Sequence, residues 1–244
     1  VSASKDILKI AADKLNRPVD GYFEYDSKKS GGVTVSNLRI KNKEFNAPYY
    51  VTNPDLVVVT KDEYFEKYNM LDNIKQNGVL LINTIDPQKL DQKICLKDKE
   101  LINKRSITVL GINATQIAAD NNIKGKINKI MEVIILKLIG IDNSISYVEE
   151  TIEKDFKNKG EEVILNNKNA LKSTFENLYR LNISKDSYSK KEDLNIYEKI
   201  NNRLGNEIPV SEIMALSTGT FIGGLSKFEK RKVADKVAKW IPEN

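Results

Sequence analysis

Histidine is absent from the 244 residues, and cysteine occurs once, at Cys95. The first absence excludes a Ser/Cys–His–Asp triad, a zinc–histidine site and a histidine general base. The second excludes an intrachain disulfide, which fits a protein of the reducing cytoplasm. It also excludes an iron–sulfur cluster held by this chain alone, since a cluster takes about four thiolates. Cys95 lies between Ile94 and Leu96 with no imidazole to activate it, and reads as a structural thiol. No apolar run approaches the roughly 20 residues needed to span a bilayer. The opening Val1-Ser2-Ala3-Ser4-Lys5-Asp6 has neither the basic nor the apolar region of a signal peptide. Chemistry in which such a chain takes part proceeds through binding, and no residue is a candidate for catalysis or for ligating a metal.

Charge is plentiful: 30% of residues are Asp, Glu, Lys or Arg, with a formal net charge of +5. Only six of the 39 basic residues are arginine, at 17, 39, 105, 180, 203 and 231. The lysines are interspersed with acids, as in KNKGEE and KKEDLN, rather than gathered in one stripe. A nucleic-acid binder concentrates basic charge on one face and interleaves aromatics. The pattern reads as a solvated Lys/Asn/Ile-rich surface, with neither nucleic acid nor membrane as partner.

Short β-branched runs alternate with segments of helical period. Residues 3–15 place Ile7, Leu8, Ala11 and Leu15 on one face and predict a helix ending before Asn16-Arg17-Pro18. Residues 22–25 and 33–38 read as extended, around a turn at 26–32. Three apolar runs follow, at 56–59, 79–82 and 107–112, and none alternates with polar residues, as expected of parallel strands covered on both faces. Helical spacing recurs at 63–75, at 115–139 with a break near Gly125, at 145–156 up to Gly160, and at 163–181. The fold expected is α/β: an open, largely parallel Rossmann-like sheet with helices on both faces. Ligands of such sheets bind beyond the strand C-termini, which singles out 27–32, 60–62, 83–84 and 111–113. Residues 182–194 are polar and aperiodic and read as a linker. The glycine-bearing tail that follows is marginal as an independent domain and reads as a small irregular α+β appendage. The expected division is therefore 1–181 and 182–244.

The sharpest local feature is Ser27-Lys28-Lys29-Ser30-Gly31-Gly32. Successive glycines let backbone N–H groups converge, and two lysines add cationic reach, so the loop is competent to hold phosphates. It is neither a P-loop nor a G-x-G-x-x-G fingerprint, and on spacing alone a lysine-bearing β-turn is the favoured reading. Asn83-Thr84 are suited to meet a ligand at a sheet edge or to cap the turn before Asp86-Pro87, the latter preferred. Glu24/Asp26 and Asp62/Glu63 read as surface or cap residues, and Gly219-Thr220-Phe221 with Gly223-Gly224 as irregular packing.

The run from Tyr25 to Arg39, YDSKKSGGVTVSNLR, closely resembles the start of the γ-type domain of pyruvate:ferredoxin (flavodoxin) oxidoreductases, where it reads YDSKKSGGVTVSHLR; Asn37 stands in place of a histidine. Leu81-Ile82-Asn83-Thr84, the GKINKIM of Gly125 to Met131, Pro209-Val210-Ser211, Gly219-Thr220-Phe221, the KFEKR of Lys227 to Arg231 and the WIPEN of Trp240 to Asn244 resemble later motifs. In that family a GSDGT loop precedes the opening words, and cluster cysteines follow the closing ones. The resemblance thus implies a piece cut at both ends, lacking the first strand and its phosphate-facing loop. It implies oxidative decarboxylation of pyruvate with coenzyme A, giving acetyl-CoA, carbon dioxide and reduced ferredoxin or flavodoxin. Thiamine diphosphate, magnesium and iron–sulfur clusters would be held by other domains of the same polypeptide, in a cytoplasmic enzyme of anaerobic metabolism that is commonly a homodimer. For this piece it implies coenzyme A binding by Lys28, Lys29, Ser30, Gly31 and Gly32, a connecting tail from about residue 182, and no catalysis in isolation. Two rivals are a γ-subunit-like part of another 2-oxoacid oxidoreductase and a structural scaffold.

Overall fold

A computed structural model describes residues 1–27, 32–184, 195–201, 205–214, 218–220, 223–224 and 238–239. The chain divides into two compact units, one of residues 1–22 and 37–191, the other of residues 23–36 and 192–244.

In the first unit, helix α1 (Ser2–Leu15) buries Ile7, Ile10 and Ala11. It ends where Asn16 turns left-handed (φ 49°) and the Arg17 N–H reaches back to Ala11 O at 3.1 Å; asparagine is among the few side chains that tolerate this conformation. Strands β1 (Val19–Tyr25) and β2 (Thr34–Ile40) pair in a two-stranded sheet. Lys41 N–H donates to Pro18 O at 3.0 Å at its base, and Asp26 N–H to Val33 O at 3.2 Å at its tip, the bracketing of an antiparallel hairpin. The base belongs to the first unit and the tip to the second.

The main sheet runs β3 (Leu56–Val59), β4 (Val79–Asn83), β5 (Thr108–Ile112), β6 (Tyr179–Leu181), the first three parallel and the last antiparallel. Between β4 and β5 come two short helices, α2 (Pro87–Lys93) and α3 (Leu96–Lys104). After β5 come α4 (Ala114–Asp120), α5 (Asn128–Leu138), α6 (Ser144–Phe156) and α7 (Glu161–Thr174). Alternate strand residues enter opposite cores. Leu56, Val58, Leu81, Leu110 and Ile112 pack with α1 and α4–α7. Val57, Val59, Leu80, Ile82 and Val109 pack with Phe65, Leu71, Ile74, Leu90 and Ile102. Apolar cover on both faces is why these strands read as uninterrupted hydrophobic runs.

Two expected helices depart from the expectation. Residues 63–75 form only a 3-10 turn at Asp62–Glu66. Lys75 N–H, which an α-helix would give to Leu71 O, donates instead to Pro54 O at 3.0 Å, and the Arg105 guanidinium donates to the terminal carbonyls of Asp72 and Ile74 at 2.7 and 2.6 Å. The apolar spacing is real, since Phe65, Leu71 and Ile74 are buried, but partners distant in sequence hold the backbone at its end. The helix expected over 163–181 stops at Thr174; a 3-10 turn (Phe175–Asn177) leads into β6, because the open edge of β5 captures residues 179–181. The expected break near Gly125 (φ 78°) separates α4 from α5.

The second unit carries the hairpin tip, α8 (Ile196–Asn201), a 3-10 turn (Gly205–Glu207) and α9 (Val210–Ile213). Lys199 bonds Glu212 at 2.9 Å and so links α8 to α9. The tail motifs from Lys227 to Arg231 and from Trp240 to Asn244 lie outside the described residues.

Candidate ligand-binding site

Beyond the C-termini of β3, β4 and β5, three loops are joined by one side chain. Asn83 Nδ2 donates to Thr60 O at 3.1 Å and to Thr115 Oγ1 at 3.3 Å, while its Oδ1 accepts the Ala114 N–H at 2.9 Å. Thr84 continues the tie: its N–H donates to Ile112 O at 2.9 Å and its hydroxyl to Asp62 Oδ2 at 2.7 Å. The other oxygen of Asp62 accepts from Lys93 at 2.7 Å. Partial burial disfavours the Lys93 charge, yet the hydrogen bond and charge of Asp62 leave its pKa above the ordinary value. The cap before Pro87 comes from Asp86, which accepts from the Gln88 and Lys89 N–H groups at 3.1 and 3.3 Å. Asn83 and Thr84 therefore cross-link strand ends rather than cap that turn. Asp62, expected as a surface or cap residue, is a buried member of this network.

The 26–32 turn is the second element of interest. Lys28, Lys29, Ser30 and Gly31 lie outside the described residues, and Gly32 lies within them. A Cβ on Gly32 would stand 2.5 Å from Asp26 Cβ and 2.8 Å from Asp26 Oδ2. No other residue fits this approach of the turn's two arms, which the Asp26–Val33 hydrogen bond closes. Val33, next along, is buried.

The words around that turn have structural partners of their own. Asn37, at the family's histidine position, is buried and accepts the Val51 N–H at 3.1 Å. Arg39 bonds Asp20 at 3.2 Å, Tyr50 O at 2.6 Å and Ala47 O at 3.4 Å, and its guanidinium covers the Tyr49 ring at 4.6 Å. Together they pin the coil of residues 41–55 to β2. A pocket of about 230 Å³ opens there, lined by Pro18, Asp20, Tyr22, Phe45 and Pro48 among others. Its lining comes from two stretches, residues 18–22 and 44–48, that no motif in the sequence marks as a site.

Cys95 precedes α3. The residue is exposed; partial desolvation of its sulfur, with the Asp98 charge beside it, pushes the thiol pKa up, which disfavours the reactive thiolate. Among the described residues no helix is long and apolar enough to cross a membrane.

Comparison with known proteins places these features in a family. Residues 1–177 match the model of "pyruvate ferredoxin/flavodoxin oxidoreductase", and residues 194–234 match a second family described as a domain of unknown function. A pyruvate-flavodoxin oxidoreductase of Klebsiella pneumoniae is 30% identical over the whole chain, which spans 22% of that relative's length. Among solved structures, the PORC subunit of pyruvate oxidoreductase from Thermotoga maritima is 26% identical at a TM-score of 0.56, over 73% of this chain and 89% of that one. A 2-oxoglutarate:ferredoxin oxidoreductase of Magnetococcus marinus, solved with 2-oxoglutarate, coenzyme A and succinyl-CoA bound, shares the fold at 15% identity and a TM-score of 0.54, over 72% of this chain and 28% of that one. By a family match over most of its length, on a sheet of the same fold, this chain belongs to the pyruvate ferredoxin/flavodoxin oxidoreductase family.

Proposed function

We propose that this chain is the coenzyme A-binding and connecting part of a pyruvate:ferredoxin or flavodoxin oxidoreductase, and that it catalyses no step itself. The observation that carries the reading is the closed turn at the hairpin tip. Asp26 and Val33 hold its arms together, Gly32 permits their close approach, and the intervening sequence is Lys28-Lys29-Ser30-Gly31. Lysines and glycines in sequence between such closed arms are the residue types that recognise the phosphates of an ADP moiety. The lysines act by electrostatic capture, so that the coenzyme A thiol is delivered to the reacting carbon elsewhere. Thiamine diphosphate and magnesium supply the carbanion chemistry in other parts of the polypeptide. With one cysteine and no histidine, this chain offers no ligand set for an iron–sulfur cluster.

Residues 1–181 form the γ-type domain and 182–244 the connecting segment, a division that the two family matches, at 1–177 and 194–234, support. The intact enzyme is cytoplasmic and homodimeric, and ferredoxin or flavodoxin takes its electrons.

Calorimetric titration of the chain with coenzyme A, at low and at moderate salt, tests the reading. Salt-sensitive binding that disappears in Lys28→Ala/Lys29→Ala supports a phosphate site on the turn. The same titration is repeated on a chain extended by the strand and glycine-rich loop that the family resemblance implies. Silence there too would leave the chain a scaffold for neighbouring domains.

A further inference from the structure

Helix α5 buries two charged side chains within an otherwise apolar stripe. Lys129 is 7% exposed and Glu132, one turn on, is 0% exposed. Three helices converge on the Lys129 ammonium. It stands 2.9 Å from Asp6 Oδ2 on α1, 3.1 Å from Asp155 Oδ2 on α6 and 3.3 Å from Glu132 Oε2 on its own helix. It also donates to the Thr151 hydroxyl of α6 at 3.1 Å. The Glu132 approach is an ion contact only, since neither carboxylate oxygen takes a hydrogen bond.

Three carboxylates around one ammonium leave a surplus of negative charge when all are ionised. Asp155 reaches solvent, and Asp6 is hydrogen-bonded to the ammonium. Glu132 has neither relief, and a buried carboxylate without hydrogen bonds is the member that most favours a proton. Burial raises its pKa, Lys129 opposes, Asp6 and Asp155 add to the rise, and the carboxyl titrates at about 7. Burial disfavours the Lys129 charge, but the surrounding carboxylates outweigh it and hold its pKa above the ordinary value.

Charges on the other faces packed around α5 are engaged, exposed or half-buried. On α1, Lys5, Lys9 and Asp13 are exposed and Lys14 pairs with Glu150 of α6. On α6, Glu153 pairs with Lys168 of α7, Lys154 is exposed and Glu149 is half-buried. On α4, Asp120 accepts from Gln116, and on α7, Glu161, Glu162 and Lys172 are exposed.

We propose that Asp6, Lys129, Glu132 and Asp155 form a protonation-dependent clamp that seats α1 on α5 and α6. With a proton on Glu132, the ammonium is free to hold Asp6 and Asp155 together. When that proton leaves, the surplus charge weakens the hold on α1. The seat of α1 is then firm below neutral pH and looser above it.

Hydrogen exchange of the α1 amides, corrected for intrinsic rates and followed from about pH 6 to 8.5, reads the clamp directly. Protection in the unmodified chain should fall roughly ten-fold across this window. Glu132→Gln, a neutral isostere of the protonated acid, should hold its protection constant. A carbon-13 titration of the Glu132 carboxyl should centre near neutrality, and Asp155→Asn should lower its midpoint. Protection that ignores pH, or that falls equally in Glu132→Gln, overturns the proposal. So does a Glu132 midpoint below about 5, the ordinary carboxylate range. The titration of the unmodified chain and of Asp155→Asn decides the matter if Glu132→Gln does not fold.

Discussion

Asn83 spends its amide donors and its carbonyl on two segments, the loop after β3 and the start of α4, so no smaller or singly functional side chain can replace it. Asn83→Ala leaves the buried Ala114 N–H, and with it the Thr60 carbonyl and the Thr115 hydroxyl, short of a partner, at about 1–3 kcal/mol for the buried N–H. A melting temperature lower by several degrees is expected, and a change within about 1 °C would show the network to be dispensable. Asp98 makes a prediction of the opposite kind. Burial pushes its carboxyl up to about 6, helped by Asp72 and opposed by Cys95 and Lys97, and Oδ1 has no partner. The folded state therefore keeps a proton that the unfolded chain sheds near pH 4. Between pH 4 and 6 the native state binds more protons, so this contribution to stability falls as pH rises and is constant above. Asp98→Asn should flatten that slope, which is worth up to about 3 kcal/mol. Urea midpoints at pH 4, 5, 6 and 7 measure it, and equal slopes in both proteins would contradict the assignment. These roles were not legible in sequence. Asn83 and Asp62 announced themselves only by lying after apolar runs, and nothing local distinguished Asp98, Lys129 or Glu132 from solvated charges.

At the scale of elements, β3, β4 and β5 were legible because four or five consecutive apolar residues admit one interpretation when both faces are covered. Helix α1 and the β1–β2 hairpin were legible for a related reason: their period and their turn residues are local properties. The failures are places where distant partners decide. Pro54 takes the Lys75 N–H that a helix over residues 63–75 would use, Arg105 holds the carbonyls beside it, and the edge of β5 takes residues 179–181 from the helical pattern before them. Both can be tested by removing the partner. Arg105→Ala should raise hydrogen exchange and proteolysis within residues 67–77 while leaving α1 unaffected. Gly111 faces Tyr179 so closely that an added Cβ would fall 2.6 Å from the ring. Gly111→Ala should thus displace β6 selectively, seen as lost amide protection at residues 179–181 with the parallel strands still protected. Loss of protection throughout the sheet would mean that β6 is integral to the sheet rather than an added edge.

The whole molecule shows how a chain without histidine can serve a redox enzyme family. Its main sheet and the helices around it form one compact unit, and the arms of its lysine-bearing turn belong, with its tail, to the other. The chain spans 22% of a relative's length, so the turn's contribution is best read in the intact enzyme. There, Lys28→Ala/Lys29→Ala removes two charges that contact only coenzyme A under the proposed function. An ammonium about 4 Å from a phosphate gains a few kcal/mol near an effective dielectric of 20, before the cost of desolvation. Roughly ten-fold or more in the Michaelis constant for coenzyme A is the expected loss, with the constant for pyruvate and the rate at saturating coenzyme A unchanged. The penalty should shrink as salt is added, since screening weakens what the lysines contribute in the unmodified enzyme. An unchanged coenzyme A constant would assign these lysines to solvent. A fall in rate at saturating coenzyme A, with the constant unaltered, would place the turn on the path of assembly or electron flow instead.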